Sequence, residues 1–141
     1  MDLISHLPTE RRRQVETRLR HDLIAWLTSV RPDGQPVSVP VWFLVRDDGT
    51  ILIYSQPGKV KLRNIAANPR VSLTLDGTDL GRDVVRIEGV AATVDDQLTA
   101  DREPAFQAKY SERIQTVFGT STRFAELYSV ALVITPTKLR A

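Results

Sequence analysis

Pro36-Val-Ser-Val-Pro-Val-Trp-Phe-Leu-Val45, then Arg46-Asp-Asp-Gly-Thr50, then Ile51-Leu-Ile-Tyr-Ser55 is the stretch from which the fold is read. Val37, Val39, Val41, Phe43 and Val45 alternate with other residues, which is the period of a strand with one buried face. Asp47-Asp48-Gly49 is hairpin-turn chemistry, so Ile51–Ser55 returns antiparallel. Upstream, Arg31-Pro32-Asp33-Gly34 is a second turn signal, preceded by an apolar run over 22–30 that reads as a largely buried strand. Three strands joined by tight turns form an antiparallel meander.

Working outward, Pro8 and Glu10 suit the first turn of a mostly polar helix reaching about Arg20. After Ser55, Gln56-Pro57-Gly58 breaks the strand and opens a short helix over 59–68. Asn68-Pro69 ends it, because the residue before proline avoids helical geometry. Further strands are expected over 71–75 and 83–94. Helices are expected over 97–109, capped by Asp95-Asp96, and over 112–117. Gly119-Thr120-Ser121 reads as a loop before a last strand over 129–135. Strands outnumber helices and long crossover helices are lacking, which argues against a doubly wound sheet. The expected fold is mainly β: one domain over 1–141, a barrel of about six antiparallel strands with peripheral helices.

The chain has 141 residues, 42% of them hydrophobic and 26% charged, with a formal net charge of +2. It has no cysteine, which excludes disulfides, thiol nucleophiles and thiolate metal sites. Its two histidines, His6 and His21, have no evident partner and read as surface residues rather than catalysts or metal ligands. No apolar run is long enough to span a bilayer as a helix, and 1–20 is too charged for a signal peptide. The expected location is therefore the cytoplasm.

Charge placement is more informative than net charge. Between Thr50 and Leu75 there is no Asp or Glu, yet Lys59, Lys61, Arg63 and Arg70 all fall there. Lys59 and Lys61 sit in the first helical turn, where cations oppose the helix dipole and backbone N–H groups already attract anions. A phosphate fits that corner, with Ser55 able to donate. By helical spacing Lys61, Asn64 and Asn68 share a polar face. Neither a P-loop nor a Gly-x-Gly-x-x-Gly fingerprint is present.

The run Gly49-Thr-Ile-Leu-Ile-Tyr-Ser55, the upstream Lys61, and Asn68-Pro-Arg-Val-Ser-Leu73 together resemble the pyridoxamine-phosphate-oxidase-like split β-barrel superfamily. Val39-Pro-Val-Trp-Phe43, Ile87-Glu-Gly-Val-Ala91 and Val133-Ile-Thr-Pro-Thr-Lys138 add to the likeness, which spans roughly 20 to 138 and is nearest to enzymes that use the deazaflavin coenzyme F420. The resemblance implies a homodimer with the cofactor at its interface. Ser38, Pro40, Val41 and Trp42 would line the ring system. Tyr54, Ser55, Lys59 and Lys61 would hold the phosphate, with Asn64 as an addition. It implies hydride transfer from reduced F420 to an unsaturated small molecule, with flavin mononucleotide (FMN) as the alternative cofactor and a non-catalytic flavin, F420 or haem carrier as the alternative role. No acid–base residue is singled out, no metal, nucleic-acid or membrane partner is expected, and no substrate is named. Val39, Leu44 and Asp83 stand where pyridoxamine phosphate oxidases proper carry arginine, lysine and a flavin-contacting glutamine, so that particular activity is not expected.

Overall fold

A computed structural model of the chain describes residues 2–77 and 79–141. Its helices are α1 (Thr9–His21), α2 (Val60–Ala67), α3 (Pro104–Phe118) and α4 (Ser121–Leu127). Its strands are β1 (Ala25–Val30), β2 (Pro36–Val41), β3 (Leu44–Val45), β4 (Ile51–Ser55), β5 (Arg70–Leu75), β6 (Arg86–Val94) and β7 (Val130–Arg140). All seven belong to one antiparallel sheet, in the order β2-β1-β5-β6-β7-β4-β3.

The two edge strands of this sheet, β2 and β3, are neighbours in sequence. Only Trp42 and Phe43 separate them. Three backbone steps reach at most about 11 Å, so the two edges must come together and the sheet must curl. The result is a split barrel, as the strand pattern predicts. The expected strand over 36–45 is thus two strands, which raises the count from about six to seven.

The interior of the curl is aliphatic apart from Phe43. Leu27, Ile53, Leu73, Ile87 and Leu132 meet there at 1% exposure or less, closed off by Val15 and Leu19 of α1 and Ile65 of α2. Burying each such side chain contributes roughly 1.5–3 kcal/mol. β4 is buried on both faces. Ile51 and Ile53 point into the curl, while Leu52 and Tyr54 face a second cluster under α3 and α4, built on Phe106, Tyr110, Ile114 and Phe124. This double burial explains why Ile51–Ser55 reads as a continuous apolar run rather than an alternation.

Several boundaries differ from expectation. The helices expected over 97–109 and 112–117 are one helix, α3, starting at Pro104. Glu103 caps it, its carboxylate accepting the Ala105 N–H at 3.3 Å, and proline is at home in a first turn. Asp95 and Asp96 precede a turn instead. No breaker interrupts α3 before Gly119, whose φ of 85° ends it. Thr120 then caps α4, its Oγ1 accepting the Arg123 N–H at 3.1 Å, so the expected loop is the junction of two helices. β1 and β6 begin three residues later than expected. β7 runs on past Thr135 and Pro136 to Arg140, because its pairing with β6 shifts register at Glu88/Gly89 and accommodates the proline.

Gly89 sits at that shift with no room for a side chain. A Cβ there would lie 2.6 Å from the Thr135 carbonyl oxygen and 3.1 Å from the Pro136 Cα. Gly89→Ala is therefore expected to destabilise the fold by about 1–3 kcal/mol, read as a lower midpoint in urea unfolding; an unchanged midpoint would mean that the two strands separate freely there.

Candidate functional site

The crossing from β2 to β3 takes Phe43 out of the sheet, and its backbone groups need partners. Two adjacent side chains of α3 supply them. The Phe43 N–H donates to the Tyr110 hydroxyl at 2.8 Å, and the Phe43 carbonyl accepts from Lys109 Nζ at 2.7 Å. The Tyr110 hydroxyl donates to the Leu23 carbonyl at 2.7 Å and lies 3.0 Å from the Phe43 carbonyl. Burial raises the Tyr110 pKa, so the phenol keeps its proton.

With Phe43 pinned, Trp42 projects into a stack of parallel rings. It lies 4.9 Å from Tyr110 at an interplanar angle of 3° and 5.3 Å from Phe124 at 14°. Phe124 in turn stacks on Tyr128 at 4.6 Å and 10°. Beside this stack is a cleft of about 310 Å³, a size suited to a small ligand or part of a cofactor. Five of the expected site residues line it: Pro40, Val41, Trp42, Tyr54 and Lys61.

Lys61 is the one charged residue of that lining. It is half-buried and, among the described residues, takes part in no hydrogen bond or ion pair. Desolvation, and then the neighbouring Lys59, hold its pKa below the usual lysine value. A partly desolvated ammonium with no counter-charge is a site that a bound anion stabilises.

The other expected residues are placed differently. Ser55 is 1% exposed and donates to the Gln56 carbonyl at 2.8 Å. Asn64 is 3% exposed and donates to Ser29 Oγ at 3.1 Å, tying α2 to β1. Both hydrogen bonds stay within the fold: Ser55 ends the doubly covered β4, and Asn64 lies on the face of α2 that packs on the sheet. The Ser38 hydroxyl pairs with Thr28 Oγ1 at 2.7 Å on the outer face of the sheet. Lys59 is exposed at the start of α2. Tyr54 gives the cleft its ring, but its hydroxyl donates to the Leu98 carbonyl at 2.6 Å, and burial pushes its pKa up to about 12.

Sequence reasoning missed the rest of the lining, Val117, Phe118, Phe124 and Tyr128 with Ile24. A signal existed. Phe124 and Tyr128 are four apart, the spacing of one helical face, but α4 itself was not foreseen. Asp83 is engaged with the N-terminal helix. Its carboxylate is bonded to Arg11 and its carbonyl to Arg18, which also holds Asp22 Oδ2 at 2.8 Å and the Asp76 carbonyl at 2.9 Å. The Arg11 hydrogen bond is the main cause of the lowered Asp83 pKa. Among the described residues no cluster of His, Asp or Glu could hold a metal ion, and no helix is long and apolar enough to cross a membrane.

A curled sheet whose two edges meet at a crossing defines a split β-barrel. The family description "Pyridoxamine 5'-phosphate oxidase" matches residues 12–141, and the chain belongs to that family. Solved structures agree on the fold. A conserved hypothetical protein from Mycobacterium tuberculosis superposes with a TM-score of 0.70 at 23% identity, covering 95% of this chain and 84% of its own. An F420 reductase gives 0.65 at 25% identity, with 89% and 94% covered. The haem-storage protein HutZ from Vibrio cholerae gives 0.64 at 14% identity, with 92% of each chain covered. No curated protein matches the sequence.

Tyr110→Phe leaves the buried Phe43 N–H without its acceptor. We expect a loss of about 1–3 kcal/mol in stability, together with a changed near-ultraviolet circular dichroism signal from Trp42; wild-type values of both would show that Tyr110 does not secure the crossing.

Proposed function

We propose that the chain binds coenzyme F420 in the cleft beside Trp42 and works as a reductase of unsaturated small molecules. The observation that carries this reading is Lys61, a half-buried ammonium with no counter-charge, at the edge of a cleft walled by flat rings. That pairing suits a cofactor with a planar ring system and a phosphate. Lys61 would hold the phosphate with the free N–H groups that open α2. Trp42, fixed in the ring stack, would set the plane of the bound ring, and Val41 and Phe118 would keep water away. Reduced F420 supplies a hydride to an acceptor, and the protein's part is orientation and a dry pocket.

Two observations favour F420 over FMN. The absence of acidic residues from Thr50 to Leu75, against Lys59, Lys61, Arg63 and Arg70, suits the polyanionic F420 tail. The F420 reductase is also among the similar structures at 25% identity. The positions of Val39 and Leu44 argue against pyridoxamine phosphate oxidase activity proper. The carrier role for haem has weaker support, since no histidine lines the cleft.

The proposed assembly is a homodimer. Trp26 is 42% exposed and Val90 41%, on an outer sheet face that also carries Pro40. That face carries the rim of the cleft, so a second copy placed on it would complete the pocket.

Fluorescence titration decides the cofactor. F420 is expected to bind more tightly than FMN, and Lys61→Ala to weaken it by about 1.5–3 kcal/mol. Tighter FMN binding would favour the alternative, and an unchanged constant would remove Lys61 from the site. Light scattering after size exclusion should give a dimer that Trp26→Glu converts to a monomer; a monomeric wild type would refute the assembly.

A further inference from the structure

A second cleft, of about 610 Å³, shares no lining residue with the first. It lies between the C-terminal half of α1, the edge strand β3 and the start of α3. Its character differs from that of the aromatic cleft. No Phe, Tyr or Trp lines it; Leu19, Leu23, Leu44 and Ala108 give it an aliphatic surface. A flexible alkyl chain fits such a wall better than a planar ring.

Three cations also line this cleft, and among the described residues none is in an ion pair. Arg20 is exposed and takes part in no hydrogen bond among those residues. Arg46 spends its donors on neutral groups, Thr50 Oγ1 at 2.9 Å and Gln97 Oε1 at 2.7 Å. Lys109 donates to the Phe43 carbonyl and sits 3.8 Å from the centre of the Phe43 ring. Burial lowers its pKa to about 8. Asp22, the carboxylate whose charge opposes that shift, is already paired with Arg18. The acidic lining residues, Glu16 and Asp47, are exposed.

We propose that this cleft is a second ligand site for a small aliphatic carboxylate, its anion beside Lys109 and its chain along Leu19, Leu23 and Leu44. The carboxylate gives the desolvated ammonium the counter-charge it lacks, and the alkyl chain covers the partly exposed Leu23 and Val45 and the exposed Ala108, over a floor of buried Leu19 and Leu44. Lys109 also holds the Phe43 carbonyl, one residue from Trp42. Occupancy of this cleft therefore bears on the crossing that shapes the other one. The site does not depend on which cofactor the aromatic cleft binds.

Calorimetry with octanoate on the cofactor-free protein tests the proposal. Octanoate is expected to bind saturably, and octan-1-ol, with the same chain and no charge, at least about tenfold more weakly. Lys109→Met should weaken octanoate by a similar factor. Because that variant also removes a hydrogen bond to Phe43, Ala108→Phe serves as the second test. It changes an exposed helix position, fills the cleft and should abolish binding while circular dichroism stays native. No saturable binding up to about 10 mM octanoate, equal affinity for octan-1-ol, or wild-type binding by a folded Ala108→Phe protein would each overturn the assignment.

Discussion

The Phe43 backbone, held by Tyr110 and Lys109, is the interaction on which the rest of the molecule depends. A strand that leaves one sheet edge and joins the other must pass through a point where neither edge offers it a partner. A buried N–H or carbonyl left bare at that point costs about as much as a hydrogen bond is worth to a marginally stable domain. The fold meets this cost with two consecutive residues of α3. The same contacts dock α3 on the barrel, and α3 delivers α4 through the Gly119 junction. Curl, helix placement and aromatic cleft are consequences of one backbone problem.

The split barrel divides its apolar material by shape. Aliphatic side chains, with Phe43 alone among the aromatics, fill the curl, where interdigitation and high packing density matter most. Aromatic side chains gather between the outer face of β4 and β7 and the two C-terminal helices, where flat surfaces can stack. Trp42 stands at the boundary, with one environment on each side of the crossing. The cleft lies beside it, and three rings of the parallel stack, Trp42, Phe124 and Tyr128, belong to its lining. Polar groups near that wall are mostly satisfied internally, Tyr54 by the Leu98 carbonyl and Ser55 by the Gln56 carbonyl. The free charge left at the cleft belongs to Lys61.

Elements with a strong local period were legible. The alternation through β2, the Asp-Asp-Gly hairpin and the doubly buried Ile51–Ser55 run gave strand positions and an antiparallel sheet. The lysines after Gly58 were found from charge alone, and one of them lines the cleft. Sequence alone points Ser55 at a phosphate by its hydroxyl, and Asn64 by helical spacing and family resemblance. In the folded chain both are buried: Ser55 ends a strand covered on both faces, and Asn64 lies on the side of α2 that packs on the sheet. α4 was missed because seven residues carry little periodic signal and its start follows glycine and threonine, which also spell a loop.

What this sequence determined by itself is local: where strands alternate, where turns break them, and where positive charge accumulates without compensation. Those properties depend on neighbours within a few residues, and side-chain period and backbone sterics express them directly. What only the tertiary structure decided is which distant groups meet. Tyr110 reaches Phe43 across 67 positions of sequence, and Phe124 reaches Trp42 because the sheet curls and α3 follows it. No local preference encodes such meetings; they arise when the closing sheet buries backbone groups that then need partners from whatever element lies above them.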